Sequence, residues 1–332
     1  MKKSFRQVLA MRPHAVLFVG DLMDGTVRLT DEEYEQELAR FRHVFSMPPH
    51  VQRLFVAGNH DVGIRSPALC PVCRRRFEKH FAMRKYAKEM SDLMVVGMDS
   101  IQVFHNTSIQ GFPSAPCQRK LLLSHVPLWR ESDSPCGATR GSARGIDYGQ
   151  GFNYENMLPR SVTENLLRDV APDLILSGDD HDHCKHVHLY PSAEGHKEAT
   201  EITVGTFSWL QGNPRPSVVL LSISTCLLRK QKSHCLRRLS NATATHVDEA
   251  RQGEVSKEAW FDYRVCPYCL CLCSGHFFTL LLSLPRQLGA VFFYLSWLAS
   301  SLLVSFAFHL LCLESQSFDI SQESLRDLVV VD

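Results

Sequence analysis

The chain has 332 residues, with 36 basic against 35 acidic side chains and a formal net charge of +1. That length accommodates one large α/β domain and a smaller appendage. The balanced charge excludes a polyanion-binding surface as the organising feature, so no nucleic-acid partner is expected. Sixteen histidines and twelve cysteines are compatible with metal chemistry and do not by themselves establish it.

In chain order, Met1-Lys2-Lys3 leads into an amphipathic segment rather than an apolar core, so no secretory signal is read there. Val16-Leu17-Phe18-Val19 and Leu54-Phe55-Val56-Ala57 are short apolar runs bounded by turn signals. Strands buried on both faces have that pattern. Between them Tyr34, Leu38, Phe41 and Phe45 recur at helical spacing, and Thr30 with Glu33 forms a capping-box start. The first strand runs into Gly20-Asp21 and the second into Gly58-Asn59-His60-Asp61. A βαβ unit with ligand-type side chains at its carboxyl edge lies where open α/β sheets hold ligands. Taken alone, Asp21 reads equally as a turn former.

Cys70-Pro71-Val72-Cys73 offers two thiols. A structural zinc site wants four ligands, so a loop thiol pair or a disulfide in an oxidising compartment is expected. Residues 74–90 read as a helix with a solvated basic face, and 93–99 and 101–104 as two strands. Asn106-Thr107-Ser108 and Asn241-Ala242-Thr243 are glycosylation acceptor sequences, relevant only to a lumenal domain. Leu121-Leu122-Leu123 is the next buried strand and ends at Ser124-His125. A long Gly-, Ser- and Arg-rich loop over 132–153 carries Arg140, Arg144 and Tyr148. These three are candidates to contact a phosphate-bearing substrate, or are simply solvated.

A helix over 161–170, capped by Ser161, precedes the strand Leu174-Ile175-Leu176. That strand ends in Ser177-Gly178-Asp179-Asp180-His181-Asp182-His183, and strands at 202–207 and 218–223 close a second sheet. This first domain covers 1–225. A polar linker is expected over 226–262, one or two transmembrane helices over 263–313, and a short tail over 314–332. The apolar stretches 265–284 and 287–313 each reach the roughly 18–20 residues that cross a bilayer core. The four cysteines of the first stretch make an acylated interfacial segment its alternative. If both span, Arg286 between them is cytoplasmic, which returns the large domain to the lumen.

The strand-end clusters are Asp21, then Asn59 with His60, then His125, then His181 and His183. Asp, Asn and His suit Mn, Fe or Zn, and a carboxylate can bridge two ions. Two divalent ions about 3.5–4 Å apart clamp the attacking and leaving oxygens of a phosphate ester. A histidine beside such a site that is not a ligand can protonate the leaving alkoxide, and His60 is so placed.

This order of Gly-Asp, Gly-Asn-His-Asp, a strand-end His and a final Gly-x-x-His-x-His resembles the calcineurin-like metallophosphoesterases over residues 8–223. The segments Gly20–Gly25, Ser124–Leu128, Ser177–Asp182 and Val204–Trp209 resemble the Cdc1/Ted1/PGAP5 branch. The resemblance implies a four-layer α/β/β/α sandwich and two bound divalent ions, Mn foremost with Fe or Zn as alternatives. It implies Asp21 as bridging ligand, Asn59, His125 and His181 completing one metal site, His183 contributing to the other, and His60 as the acid. It further implies a membrane-anchored phosphodiesterase of the endoplasmic reticulum and Golgi with a lumenal catalytic domain. Its partners would be the membrane and glycosylphosphatidylinositol (GPI) glycolipids or the proteins they anchor, from whose mannose it removes ethanolamine phosphate.

The chain departs from the family at one point. The family's Asp-x-His strand is absent ahead of residue 4, so the sheet is expected to lack its first strand and the second metal site to keep only Asp21 and His183. An upstream apolar strand ending in Asp-x-His, preceded by a further hydrophobic anchor, is the corresponding expectation. The alternatives are a catalytically impaired, truncated isoform acting as a binding or regulatory membrane protein, and a phosphoesterase of another substrate.

Overall fold

The computed structural model describes residues 1–64, 70–90, 93–103, 118–132, 134–192, 195–208, 210–213, 217–224, 261–265 and 325–332. The βαβ unit is present: β1 (Ala15–Phe18) and β2 (Gln52–Phe55) pair in parallel, joined by α2 (Asp31–Val44). The capping box forms as expected, Glu33 N donating to Thr30 Oγ1 and Thr30 N to Glu33 Oε2. Tyr34, Leu38 and Phe41 are the buried residues of α2, and with α1 (Lys2–Ala10) they cover the outer face of this sheet through Phe5, Val8 and Phe18.

The second sheet contains β3 (Lys85–Met90), β4 (Leu93–Met98), β5 (Arg119–Leu123), β6 (Leu174–Ser177), β7 (Cys184–Ser192) and β8 (Gly195–Thr203), in the order β3-β4-β5-β6-β8-β7. The β4, β5, β6 and β8 pairings are parallel, which puts the ends of β5 and β6 on one edge. The outer face of this sheet is covered by α6 (Arg160–Val170) and by Val62 and Phe77, from α3 (Asn59–Val62) and α4 (Pro71–His80). Leu17, Leu54, Leu121, Leu123, Leu176 and Ile202 meet in one cluster between the two sheets. The layers are therefore α/β/β/α, as expected.

Several expectations need correction. The strand slot thought to be missing is filled. β11 (Leu325–Val331) lies between β1 and β9 (Val219–Ser224), parallel to β1 with Ala15 opposite Leu328 and Phe18 opposite Val331, and antiparallel to β9. Leu328, Val329, Val330 and Val331 are buried, so β1 has no exposed edge there. Residues 325–331 of the segment read as a tail are thus an inner strand.

The polar linker likewise ends in a strand. β10 (Phe261–Val265) pairs antiparallel with β9, and Phe-Asp-Tyr-Arg-Val has the period of two that a strand requires. The basic helix stops at His80; Lys85–Met90 alternates exposed and half-buried residues as an edge strand. Residues Ser100–Val103 form α5, one helical turn rather than a strand. α6 begins after Pro159 without a side-chain cap, so Ser161 does not cap it.

Among the described residues no helix is long and apolar enough to cross a membrane. Apart from Val265 in β10, the two apolar stretches lie outside the described residues, as do both glycosylation acceptor sequences. Cys70 and Cys73 form a disulfide, and a second joins Cys136 to Cys184. The second ties the 134–158 loop to the start of β7, directly after the Gly178–His183 turn.

Candidate metal centre

Three turns at the carboxyl edge of the sheets converge on one imidazole. His125 follows β5 and is completely buried; its backbone N–H donates to Ser100 Oγ at 3.2 Å. Its Nδ1 faces the Val19 carbonyl at 2.7 Å, which assigns the ring proton to that nitrogen. Nε2 then points at three oxygens: Asn59 Oδ1 at 2.9 Å, Asp179 Oδ1 at 3.3 Å and Asp21 Oδ1 at 3.5 Å. Ligand atoms of Asp21, His125 and Asp179 all lie within 4.8 Å of one another.

Close packing of the backbone makes this convergence possible. Gly20 has φ +117°, and a Cβ there would overlap the His125 ring. A Cβ at Gly178 would overlap the Asp332 carboxylate. Glycine lets the chain approach a ligand this closely, at the cost of backbone entropy elsewhere recovered. Asp21 and Asp179 both take left-handed backbone, at φ +48° and +66°; such conformations cluster at functional sites.

Asp332, which follows β11, brings another carboxylate to the same place. Its backbone carbonyl accepts from Phe207 N at 2.9 Å, while its Oδ1 is buried without a hydrogen-bond partner. Burial, with the charges of Asp21 and Asp179, pushes its carboxyl up to about 8, although His125 opposes this. Burial alone would make the His125 imidazole less basic, but Asp21, Asp179 and Asp332 outweigh it and raise its pKa to about 10. Three carboxylates, one of them with an unpartnered oxygen, one carboxamide and one imidazole make the donor set of a divalent cation site. The residues fit the metal centre that the fold implies.

His60 stands at the rim. Its backbone N–H donates to Asp21 Oδ1 at 2.9 Å, its Nδ1 lies 2.7 Å from Asp24 Oδ1, and its Nε2 is 4.0 Å from Asp21 Oδ2. Desolvation disfavours its charged form, but Asp21 and Asp24 prevail and its pKa is raised. Asp61 of the same motif is structural. It accepts from Gly58, Leu22 and Met23 backbone N–H groups at 2.9 to 3.2 Å and so ties the Asp21 turn to the Asn59 turn.

The sequence-derived residues divide as follows. Asp21, Asn59 and His125 come together, with His60 beside them. His181 stands near enough to feel the charges of Asp179, Asp21 and His125, and burial lowers its pKa. His183 is not in the Asp21, His125 and Asp179 group whose ligand atoms lie within 4.8 Å of one another; its Nδ1 meets Thr139 Oγ1 at 2.5 Å, and burial lowers its pKa to about 4, with Asp182, Arg140 and Lys185 among the charges acting on it. Arg140 pairs with Asp180, at 2.5 and 3.2 Å. Arg144 contributes its backbone carbonyl to Arg140 Nε, and Tyr148 is exposed. Reading the Gly178–His183 turn by its histidines missed Asp179, and taking 314–332 as a tail missed Asp332. The apolar run Leu328–Val331 followed by Asp was the available signal, since it repeats the pattern of a buried strand entering Asp21.

Two sheets lie back to back, covered by helices, with Asp, Asn and His side chains meeting at one edge. The calcineurin-like phosphoesterase family profile matches residues 2–183, and the chain belongs to that family. It is 30% identical over 225 residues to cell division control protein 1 of Saccharomyces cerevisiae, covering 64% of this chain and 45% of that protein. It is 29% identical over 256 residues to metallophosphoesterase 1 of Pongo abelii, covering 68% of this chain and 62% of that protein. The mouse metallophosphoesterase 1 is 28% identical over 258 residues, covering 68% of this chain and 62% of that protein. The chain thus spans about half to three fifths of the length of these three relatives.

Proposed function

We propose that the chain is a metal-dependent phosphodiesterase whose centre is formed by Asp21, Asn59, His125, Asp179 and Asp332, with His181 alongside. The observation that carries this reading is His125 Nε2 facing Asn59 Oδ1, Asp179 Oδ1 and Asp21 Oδ1 within 3.5 Å. Manganese is the metal of first choice, with iron or zinc as alternatives. A divalent ion held there supplies Lewis-acid charge to a phosphoryl ester and acidifies water. The protein's own part is to hold the carboxylates rigid, keep His125 in one tautomer through Val19, and exclude bulk water by burial.

His60 is the proton donor to the departing alkoxide in this reading. Asp21 and Asp24 favour its protonated form against desolvation, and its side chain is about 39% exposed, so an ester can reach it. The substrate we favour is ethanolamine phosphate on the mannose of a GPI anchor, with the domain facing the lumen of the endoplasmic reticulum or Golgi. The likeness to metallophosphoesterase 1 supports this, and so do the two disulfides, which persist in oxidising compartments.

The alternative of an impaired, regulatory isoform drew on an absent first strand and its carboxylate. β11 and Asp332 supply a strand and a carboxylate beside β1, though not the histidine of the Asp-x-His motif, and this favours the enzyme reading. The test is turnover of a generic phosphodiester by the full chain on adding Mn²⁺, compared with a His60→Gln variant. The expected result is Mn²⁺-dependent hydrolysis that falls about 10²–10⁴-fold in kcat in the variant while metal binding is retained. No turnover by the metal-loaded wild type would overturn the enzyme reading.

A further inference from the structure

The long loop ends in a small hairpin that reaches back to the centre. Gly151 N donates to Tyr154 O at 3.0 Å and Asn156 N to Gly149 O at 2.9 Å, with Gln150 bridged to Glu155. At its tip, the side-chain amides of Asn153 and Asn59 each donate to the other residue's backbone carbonyl, across 94 residues of sequence. Asn59 Nδ2 donates to the Asn153 carbonyl at 2.6 Å, and Asn153 Nδ2 donates to the Asn59 carbonyl at 3.2 Å. Asn153 Oδ1 also accepts from Ile64 N at 3.1 Å, beyond the far end of α3.

A carboxamide has one face that can ligate a cation and one that cannot. Rotating the Asn59 amide by half a turn would present an N–H group, not an oxygen, to the centre. Because Asn59 Nδ2 is committed to Asn153, Oδ1 is the atom left beside His125 Nε2 at 2.9 Å. With the hairpin docked Asn59 is only 2% exposed, so bulk water does not compete for its amide. We propose that Asn153 is a positioning residue: the 149–156 hairpin locks the Asn59 amide with its oxygen toward the metal, and so sets metal affinity without touching the ion. This rests on the metal-centre reading above.

Substitution acts by undocking the hairpin tip. Asn153→Ala removes the side-chain bonds to Asn59 and Ile64. Asn153→Asp keeps an acceptor for Ile64 N but sets a carboxylate against the Asn59 carbonyl. The full chain is titrated with Mn²⁺ by calorimetry, and with Co²⁺ while its visible absorption is followed. Both variants are expected to bind Mn²⁺ about 10–100-fold more weakly, the size of effect that loss of an outer-shell partner produces. Their Co²⁺ spectra should shift, with metal-free melting temperatures close to wild type. Phe152→Ala, a change at a neighbouring ring that is 60% exposed, should alter none of these. Wild-type Mn²⁺ affinity and Co²⁺ spectra in Asn153→Asp would overturn the proposal while leaving the metal centre standing. A loss of affinity matched by an equal loss of metal-free stability in both variants would overturn it too. Failure of the wild type itself to bind Mn²⁺ would overturn both readings.

Discussion

At the scale of single residues, His125 and Asp332 have the most testable chemistry, because both hold protons in the metal-free fold that the unfolded chain would have released. The imidazole is raised from 6.5 to about 10, against burial, by three carboxylates; the Asp332 carboxyl is raised from 3.8 to about 8, chiefly by burial. Between the unfolded and folded values the native state binds more protons, so stability falls as pH rises. The His125 contribution is complete below 6.5 and is lost through about 10; the penalty for Asp332 grows between 3.8 and about 8. A chelator-treated sample should therefore melt at progressively lower temperature from pH 6 to pH 10. Added Mn²⁺ should flatten or reverse that slope, since ligands deprotonate when metal binds. A chelated protein whose melting temperature is flat over this range would contradict the electrostatics described for the pocket.

The same scale explains what the sequence disclosed. Asn59, His60 and His125 were legible because each directly follows a buried apolar run. Asp179 was not, because two histidines in the same turn drew the reading away from it; its left-handed backbone accompanies a carboxylate 3.3 Å from His125 Nε2. His183 has the right residue type and a strand-end position, yet it turns to Thr139. Spacing in sequence does not report which way a side chain turns.

Among elements, β11 matters most. It joins the first sheet from the far end of the sequence, a long-range pairing that no local pattern announces, although its own apolar run marks it as a strand. Leu328 is 1% exposed and belongs to the cluster between the sheets, opposite Ala15 in the ladder. Leu328→Ala should cost about 2–5 kcal/mol, the range for a deleted core leucine, measured as a lowered denaturation midpoint. Because Asp332 lies four residues on, Mn²⁺ affinity should fall with it. A variant that melts like the wild type would mean that β11 contributes little to the sheet. By contrast, α2 could be read almost to the residue from sequence, since its cap and its apolar stripe are local.

For the whole molecule, the α/β/β/α layering follows from one requirement. Two sheets share a central apolar layer and each needs a helical cover on its outer face. Stacking them brings the loops after β1, β2, β5, β6 and β11 together at one edge, so the metal centre is a product of topology more than of any single motif. The family assignment agrees with that architecture over residues 2–183, while β11, at 325–331, lies outside the matched range. The expected membrane anchor concerns a part of the chain outside the described residues. Every side chain named in the centre belongs to the two-sheet domain.

The most direct measurement is an anomalous-difference map from crystals of the full chain grown with Mn²⁺, collected at the manganese edge. The account predicts at least one strong peak within about 2.0–2.6 Å of oxygens of Asp21 and Asn59 and of His125 Nε2, with Asp179 and Asp332 lining the same pocket. Crystals soaked to saturation that show no peak there, or show one at a different set of side chains, would contradict it.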